Sequence, residues 1–118
     1  MNWQPLSEQA IEDALAQHKR VFIDVTADWC ITCKVNKYNV LHKEDVQAAL
    51  QQTDVVALRG DWTLPSEAIT EFLKKRGQVA VPYNQIYGPG LPDGQALPTL
   101  LTRDAVLQTL NDAKGVTP

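Results

Sequence analysis

The sequence predicts an α/β fold in which helices flank a central mixed β-sheet. Short apolar runs rich in β-branched residues alternate with longer segments whose apolar residues recur at helical spacing. The predicted order is α-β-α-β-α-β-β-α, with two helical stretches in the interval between the first two strands, and it is typical of a sheet with helices packed on it. The length of 118 residues fits one domain, because a second sizeable core would need a longer chain. We expect a single domain over 1–118, with an N-terminal helical extension (1–19) and a core (20–113).

The composition excludes several classes of protein. The chain is 44% hydrophobic and 21% charged, values close to the globular average, so a disordered or fibrous chain is not expected. The net charge is -3, and lysine and arginine form no basic stripe, which argues against a nucleic-acid partner. The apolar runs are far shorter than the roughly 20 residues that a membrane-spanning helix needs.

Each predicted element depends on a local pattern. Ser7 is a suitable N-cap for the first helix, and Gly77 a suitable stop for the fourth. Residues 88–94 contain three glycines and two prolines, so we predict a turn there. The predicted helices cover 7–18, a segment starting at about residue 30, 44–51, 65–75 and 103–113; the predicted strands cover 21–25, 54–58, 79–87 and 97–101, the first two being parallel to each other.

Cys30 and Cys33 are the only cysteines, and they are separated by two residues. A Cys-x-x-Cys pair near a β-α-β pattern indicates a thioredoxin-like redox site. At the N-terminus of a helix, backbone N–H groups and the helix dipole favour the thiolate, which lowers a cysteine pKa from about 8.5 to roughly 3.5–7.5. Cys33, one turn later, is placed to attack a mixed disulfide formed on Cys30. We predict that Cys30 is the nucleophile and Cys33 the resolving thiol.

Three other interpretations of the cysteine pair are less favoured. A zinc site needs two more ligands, and His18 and His42 lack paired spacing, so no metal site is expected. A purely structural disulfide within one helical turn would close a very small loop and stabilise little. Two inert core cysteines remain the third alternative.

Two residues near the cysteines are candidates for roles in the chemistry. Asp24 lies inside the apolar strand that leads to the motif, where burial raises a carboxyl pKa and suits it to proton transfer at Cys33. Its alternative is a strand-edge acid bonded to backbone or water. Trp29 immediately precedes Cys30 and is expected to shield it or to contact partners; otherwise it belongs to the core.

Val81 and Pro82 begin an extended segment about 50 residues after the motif. A proline there is often cis, and its neighbour then presents backbone groups that pair with a substrate strand. We therefore expect Val81 and Pro82 to bind substrate, together with Trp29.

Residues 21–34, VFIDVTADWCITCK, closely resemble the active-site stretch of the C-terminal domain of DsbD-type transmembrane thiol–disulfide interchange proteins, and most closely the ScsB (suppressor of copper sensitivity) branch. The resemblance extends over roughly 20–113. Three later stretches also carry it: Asp61-Trp62-Thr63, Val81-Pro82-Tyr83 leading to Tyr87-Gly88, and 97–102.

The resemblance implies a thioredoxin fold and a protein-disulfide reductase without cofactor. It implies a monomeric periplasmic domain, attached to an inner-membrane protein, that takes electrons from a membrane-embedded carrier and passes them to partner disulfides, with a link to copper tolerance. It also assigns Asp24 as the buried acid and Pro82 as the cis-proline. Lys37 is a departure, because some relatives carry an acid at this position. Asn84 and Gln85 are more polar than the family leads us to expect, so the register of that strand stays open.

Two other functions remain open. The first is a Cu(I)-binding module, because two thiolates suit Cu(I). Against it, the chain offers no additional cysteine and only Met1 as a methionine. The other is a free-standing thioredoxin or a periplasmic oxidant. The reduction potential separates reductant from oxidant.

Overall fold

The computed structural model describes residues 1–115. It contains five strands, five α-helices and one π segment (Lys37–Leu41) that continues the second helix. In chain order the elements are β1 (Gln4–Pro5), α1 (Glu8–Ala16), β2 (Arg20–Thr26), α2 (Ile31–Asn36), the π segment, α3 (Glu44–Leu50), β3 (Val55–Asp61), α4 (Glu67–Lys75), β4 (Tyr83–Gly88), β5 (Leu91–Ala96) and α5 (Arg103–Asp112).

The five strands form one mixed sheet in the order β1-β3-β2-β4-β5. The central strand, β2, runs parallel to β3 and antiparallel to β4, and β5 closes the other edge antiparallel to β4. All seven residues of β2 are buried, which explains why its sequence is a nearly continuous apolar run. The predicted α/β class and the parallel pairing of the first two predicted strands are confirmed.

Side chains of β2 alternate between two cores, one on each face of the sheet. Val21, Ile23 and Val25 pack with residues of α1 and α4. Phe22 packs on the opposite face with residues of the π segment, α3 and α5. Asp24 and Thr26 follow Phe22 in the alternation, so this strand directs two polar side chains toward the face that carries α2.

Three helices begin at hydroxyl caps. The side chains of Ser7, Ser66 and Thr102 each accept a hydrogen bond from a backbone N–H three residues later. This pattern satisfies a donor that the first helical turn leaves free. The observed ends of α1, α3, α4 and α5 agree with the predicted ends to within two residues. None of the helices in 1–115 is both long and apolar enough to cross a membrane.

The predicted positions of the last strand and of the turn before it are wrong. Strand β5 occupies the segment that we predicted as a turn, whereas 97–101 forms no strand and the hairpin turn is confined to Pro89 and Gly90. Gly88 and Gly90 lie so close to the backbone after α5 that an added Cβ would clash with its carbonyls. Pro92 is tolerated because β5 is an exposed edge strand, where no outer partner needs its N–H. In this segment, therefore, the glycines reflect close backbone packing and Pro92 reflects an edge strand, rather than a long turn.

The N-terminal segment contributes a strand that the sequence did not predict. Gln4 and Pro5 pair in parallel with Leu58 and Arg59 of β3, and the Leu6 N–H donates to the Arg59 carbonyl at 3.1 Å. A two-residue strand has no periodicity, so only the tertiary contact with β3 reveals it. Residues 79–82, which we predicted as the start of a strand, lie outside β4. Residues 116–118 of the predicted domain lie outside the described part of the chain.

Candidate active site

Cys30 and Cys33 lie at the N-terminal end of α2 and are joined by a disulfide, with their Cα atoms 5.2 Å apart. Cys30 is the N-cap in extended conformation, and its Sγ accepts a hydrogen bond from the Cys33 N–H at 3.1 Å. The helix that starts there brings Cys33 one turn below Cys30. A backbone donor that faces the sulfur stabilises a thiolate on Cys30 once the disulfide opens.

The two cysteines differ in access to solvent. Cys30 is 7% exposed and Cys33 is 3% exposed, and both pack with Ala27 and Val81 in a small apolar cluster. A partner disulfide therefore has a shorter approach to Cys30 than to Cys33. This difference agrees with the order of attack expected from the sequence.

Asp24 lies in a buried polar network. Its Oδ2 accepts a hydrogen bond from Arg59 Nε at 2.9 Å and lies 2.9 Å from Arg59 Nη2 in an ion pair, and its Oδ1 accepts a hydrogen bond from Asn84 Nδ2 at 2.9 Å. The side chain of Asp24 is 5% exposed and that of Arg59 is 25% exposed. The Arg59 guanidinium in turn stacks on the ring of Trp3, 3.9 Å from its centroid. The carboxyl is thus paired rather than isolated in an apolar strand.

The register of the sheet explains this network. Asp24 is directly opposite Arg59 in β3 and Asn84 in β4, so all three side chains emerge on one face. The polar residues of β4 that looked unusual have partners: Asn84 binds Asp24, and Gln85 accepts a hydrogen bond from Arg76 at 2.8 Å. Sequence reasoning missed Arg59, because only strand pairing brings it to the acid.

Trp29 and Val81 line one groove of about 460 Å³ beside the cysteines. Trp29 is 61% exposed, and Val81, which also packs against the cysteine pair, is half-buried. The Val81–Pro82 peptide bond is cis, so the expected cis-proline is present. Pro82 itself is buried at the start of β4. The structure therefore brings Trp29 and Val81 together at the groove, whereas buried Pro82 does not line it.

The charged residues of α2 and the π segment have different surroundings. Lys34 is exposed, whereas Lys37 is half-buried and lies near Asp61 at the end of β3. The hydrogen bond from Thr63 is the largest cause that lowers the pKa of Asp61, and the positive charge of Lys37 lowers it further. Lys37 thus has a carboxylate neighbour. Within 1–115, His, Cys, Asp and Glu side chains form no group of three suited to a metal ion.

A family model described as thioredoxin-like matches residues 2–89 of the chain. The chain belongs to the thioredoxin-like family. This match covers most of the sheet, the cysteine pair and Val81-Pro82, so the features that define the site lie within it.

Among curated relatives, the thioredoxin-like domain is similar to segments of proteins named thiol:disulfide interchange protein DsbD. It is 39% identical over 75 residues to the protein of Pseudomonas sp. (strain JR1 / K1), covering 64% of this chain and 12% of that protein. It is 32% identical over 75 residues to the protein of Vibrio cholerae, covering 64% of this chain and 12% of that protein. The chain therefore spans about an eighth of the length of these relatives.

The fold is shared with solved structures of a DsbD C-terminal domain and of a thioredoxin. The DsbD C-terminal domain of Neisseria meningitidis in the oxidised form superposes with a TM-score of 0.69 at 23% identity, covering 90% of this chain and 91% of that one. A thioredoxin from Thermus thermophilus gives a TM-score of 0.69 at 19% identity, covering 94% and 85%. The DsbD-like sequence, the Cys30–Cys33 disulfide and this fold together support a thiol–disulfide oxidoreductase domain.

Proposed function

We propose that this domain is the terminal periplasmic relay of a DsbD-type protein, in which the Cys30/Cys33 dithiol reduces disulfides of partner proteins. The observation that carries the proposal is the redox disulfide at the start of α2 within a segment that resembles DsbD. A membrane-embedded carrier domain would reduce Cys30–Cys33 again after each turnover. The domain would act as a monomer, and the resemblance of residues 21–34 supports the ScsB branch and a role in copper tolerance.

The proposed reaction has two exchange steps. The Cys30 thiolate attacks one sulfur of the partner disulfide, which forms a mixed disulfide and releases the other partner sulfur as a thiolate. Cys33 then loses its proton and attacks the Cys30 sulfur, so that the Cys30–Cys33 disulfide forms and the second partner thiolate leaves. Two electrons pass to the partner, and its two thiolates take up protons.

The other site residues receive roles in this scheme. Asp24 accepts the proton of Cys33, while Arg59 at Oδ2 and Asn84 at Oδ1 hold its carboxylate in place. Trp29 and Val81 contact the partner along the groove. The extended segment at Val81-Pro82 pairs with the partner's backbone as an added strand does.

The reduction potential tests the proposal. The reduction potential of a reductant that a membrane carrier supplies with electrons is expected at about -200 to -270 mV, near that of thioredoxin. Strong oxidants lie at about -120 mV. Exposed Lys34 favours the thiolate, but one exposed charge contributes at most about 1 kcal/mol, which corresponds to tens of millivolts. Equilibration with glutathione buffers, followed by thiol alkylation, measures the potential. A value above about -150 mV would identify an oxidant and contradict the relay.

A further inference from the structure

The loop after β3 is the part of the DsbD-like sequence pattern to which the proposed reaction assigns no task. Asp61 ends β3, and the next residue, Trp62, donates its N–H to the carbonyl of Thr26 at 2.7 Å. The loop is thereby fixed to the end of β2, from which the cysteine segment departs. Thr63 then lies beside the two residues that precede Cys30.

Every polar atom of Thr63 has a partner. Its hydroxyl donates to Asp61 Oδ1 at 2.5 Å and accepts the N–H of Asp28 at 2.9 Å. Its own N–H donates to the same Asp61 oxygen at 2.9 Å, and its carbonyl accepts the indole Nε1–H of Trp29 at 3.2 Å. The pKa of Asp61 is lowered, chiefly by the Thr63 hydroxyl, so the carboxylate remains an acceptor at neutral pH. We call these four bonds the Thr63 clasp.

The clasp holds a side chain that would otherwise have freedom to move. Trp29 is 61% exposed, and an exposed side chain normally samples several rotamers. The clasp fixes both its backbone neighbour Asp28 and its indole nitrogen. Trp29 and Val81 line the same groove, and Val81 touches the cysteine pair. The position of Trp29 therefore sets the shape of the surface next to Cys30.

We propose that Thr63 is a positioning residue for protein disulfides: by holding Asp28 and Trp29 through Asp61, it keeps the groove beside Cys30 in the shape that a partner protein binds. The proposal rests on the proposed function, in which the groove meets the partner. A small disulfide reaches Cys30 without filling the groove and does not depend on the clasp.

The test compares two disulfides in the Thr63→Val variant. Valine keeps the shape of threonine but removes the hydroxyl, so the Asp28 N–H loses its acceptor and Asp61 loses a donor. With dithiothreitol as the reductant, we expect the KM for insulin to rise about five- to tenfold, as the loss of one hydrogen bond implies. The kcat is expected to stay within about twofold of the wild-type value. The rate with 5,5′-dithiobis(2-nitrobenzoic acid) is expected to stay unchanged.

Two further variants serve as controls. Thr63→Ser retains the hydroxyl and is expected to restore the KM for insulin. Thr53→Val removes an exposed threonine hydroxyl two residues before β3, at the end of the strand opposite to Thr63, and should leave all rates unchanged.

The outcomes separate this inference from the proposed function. An unchanged KM for insulin in Thr63→Val, or equal losses with both disulfides, would overturn the positioning role while the wild-type domain remains active. A wild-type domain that fails to reduce insulin would overturn the proposed reductase function, and the inference with it.

Discussion

At the scale of single residues, the environment of each sulfur decides its part in the exchange. Cys30 caps α2, receives a backbone hydrogen bond and is the more exposed of the pair. Cys33 lies one turn deeper in the helix. This geometry supports the proposal that a partner forms its mixed disulfide with Cys30 and that Cys33 then attacks the Cys30 sulfur.

The first prediction separates the two cysteines by substitution. Cys30→Ser should abolish disulfide reduction, because the accessible nucleophile is lost. Cys33→Ser should accumulate a covalent complex with a partner protein, because nothing resolves the mixed disulfide. Non-reducing electrophoresis detects the complex. Faster alkylation of Cys33 than of Cys30 in the reduced wild-type protein at pH 6 would reverse the assignment.

The second prediction concerns Asp24. Asp24→Asn should slow the resolving step by about 100-fold at neutral pH, the lower end of the range for a general base, because Cys33 must then lose its proton to solvent. Rapid-quench measurement of mixed-disulfide decay provides the rate. The variant also leaves Arg59 without its carboxylate, so some loss of stability is expected.

Asn84→Ala is the matched control for Asp24. It removes the hydrogen bond to Oδ1 but keeps the carboxylate and its Arg59 partner. We expect a loss of stability, with the rate of the resolving step close to that of the wild-type protein. An equally slow resolving step in both variants would show that the network as a whole, rather than the carboxyl group, controls the step.

At the scale of elements, side-chain hydrogen bonds replace strand pairing after β5. Buried Asn36, at the end of α2, donates to the Thr99 carbonyl at 2.9 Å and accepts the Leu101 N–H at 3.0 Å. One amide thus fixes the segment that we predicted as a strand. The same amide ties the active-site helix to the segment that leads into α5.

The third prediction concerns the start of α4. The Ser66 side chain accepts the Ile69 N–H at 3.2 Å, and α4 forms one wall of the core that contains β2. Ser66→Ala should lower the free energy of unfolding by about 1 kcal/mol. Urea titration at equilibrium measures the change. Ser66→Asn keeps an N-cap acceptor and should recover most of the stability; equal losses in both variants would count against the cap.

At the scale of the whole molecule, a buried arginine joins three distant parts of the chain. The side chain of Arg20, 3% exposed at the start of β2, donates to Asp54, to Gln52 and to the Leu110 carbonyl near the end of α5. Its five-donor guanidinium matches this set of acceptors. Arg20 therefore couples the far ends of β2, β3 and α5, away from the cysteines.

The fourth prediction follows from Asp54. The hydrogen bond from Arg20 is the largest cause that lowers the pKa of Asp54 from its ordinary value of 3.8. A lowered pKa means that the unfolded chain binds the proton more tightly, so the pair stabilises the fold above pH 3.8 and the stabilisation disappears as the pH falls through the lowered value. When the pH is lowered from 7 to 3, the free energy of unfolding, measured with urea, should therefore fall less in Asp54→Asn than in the wild-type protein.

The control for this pH series is Asp93→Asn, which changes an exposed aspartate on the edge strand β5. Its free energy of unfolding should fall between pH 7 and pH 3 by as much as that of the wild-type protein. An identical pH dependence in Asp54→Asn and wild type would remove the Arg20–Asp54 pair as a source of acid sensitivity.

Features that depend on neighbouring residues in the chain could be predicted from the sequence. Helical periodicity placed α1, α4 and α5, Ser7 was recognised as the cap of α1, and the spacing of Cys30 and Cys33 indicated the redox pair. Tertiary structure decided what depends on pairing between distant segments: β1, the register of β5, and the Arg59 and Asn84 partners of Asp24. The reason is physical, because a strand's partners and register are set by contacts across the sheet, whereas a helix satisfies its own backbone.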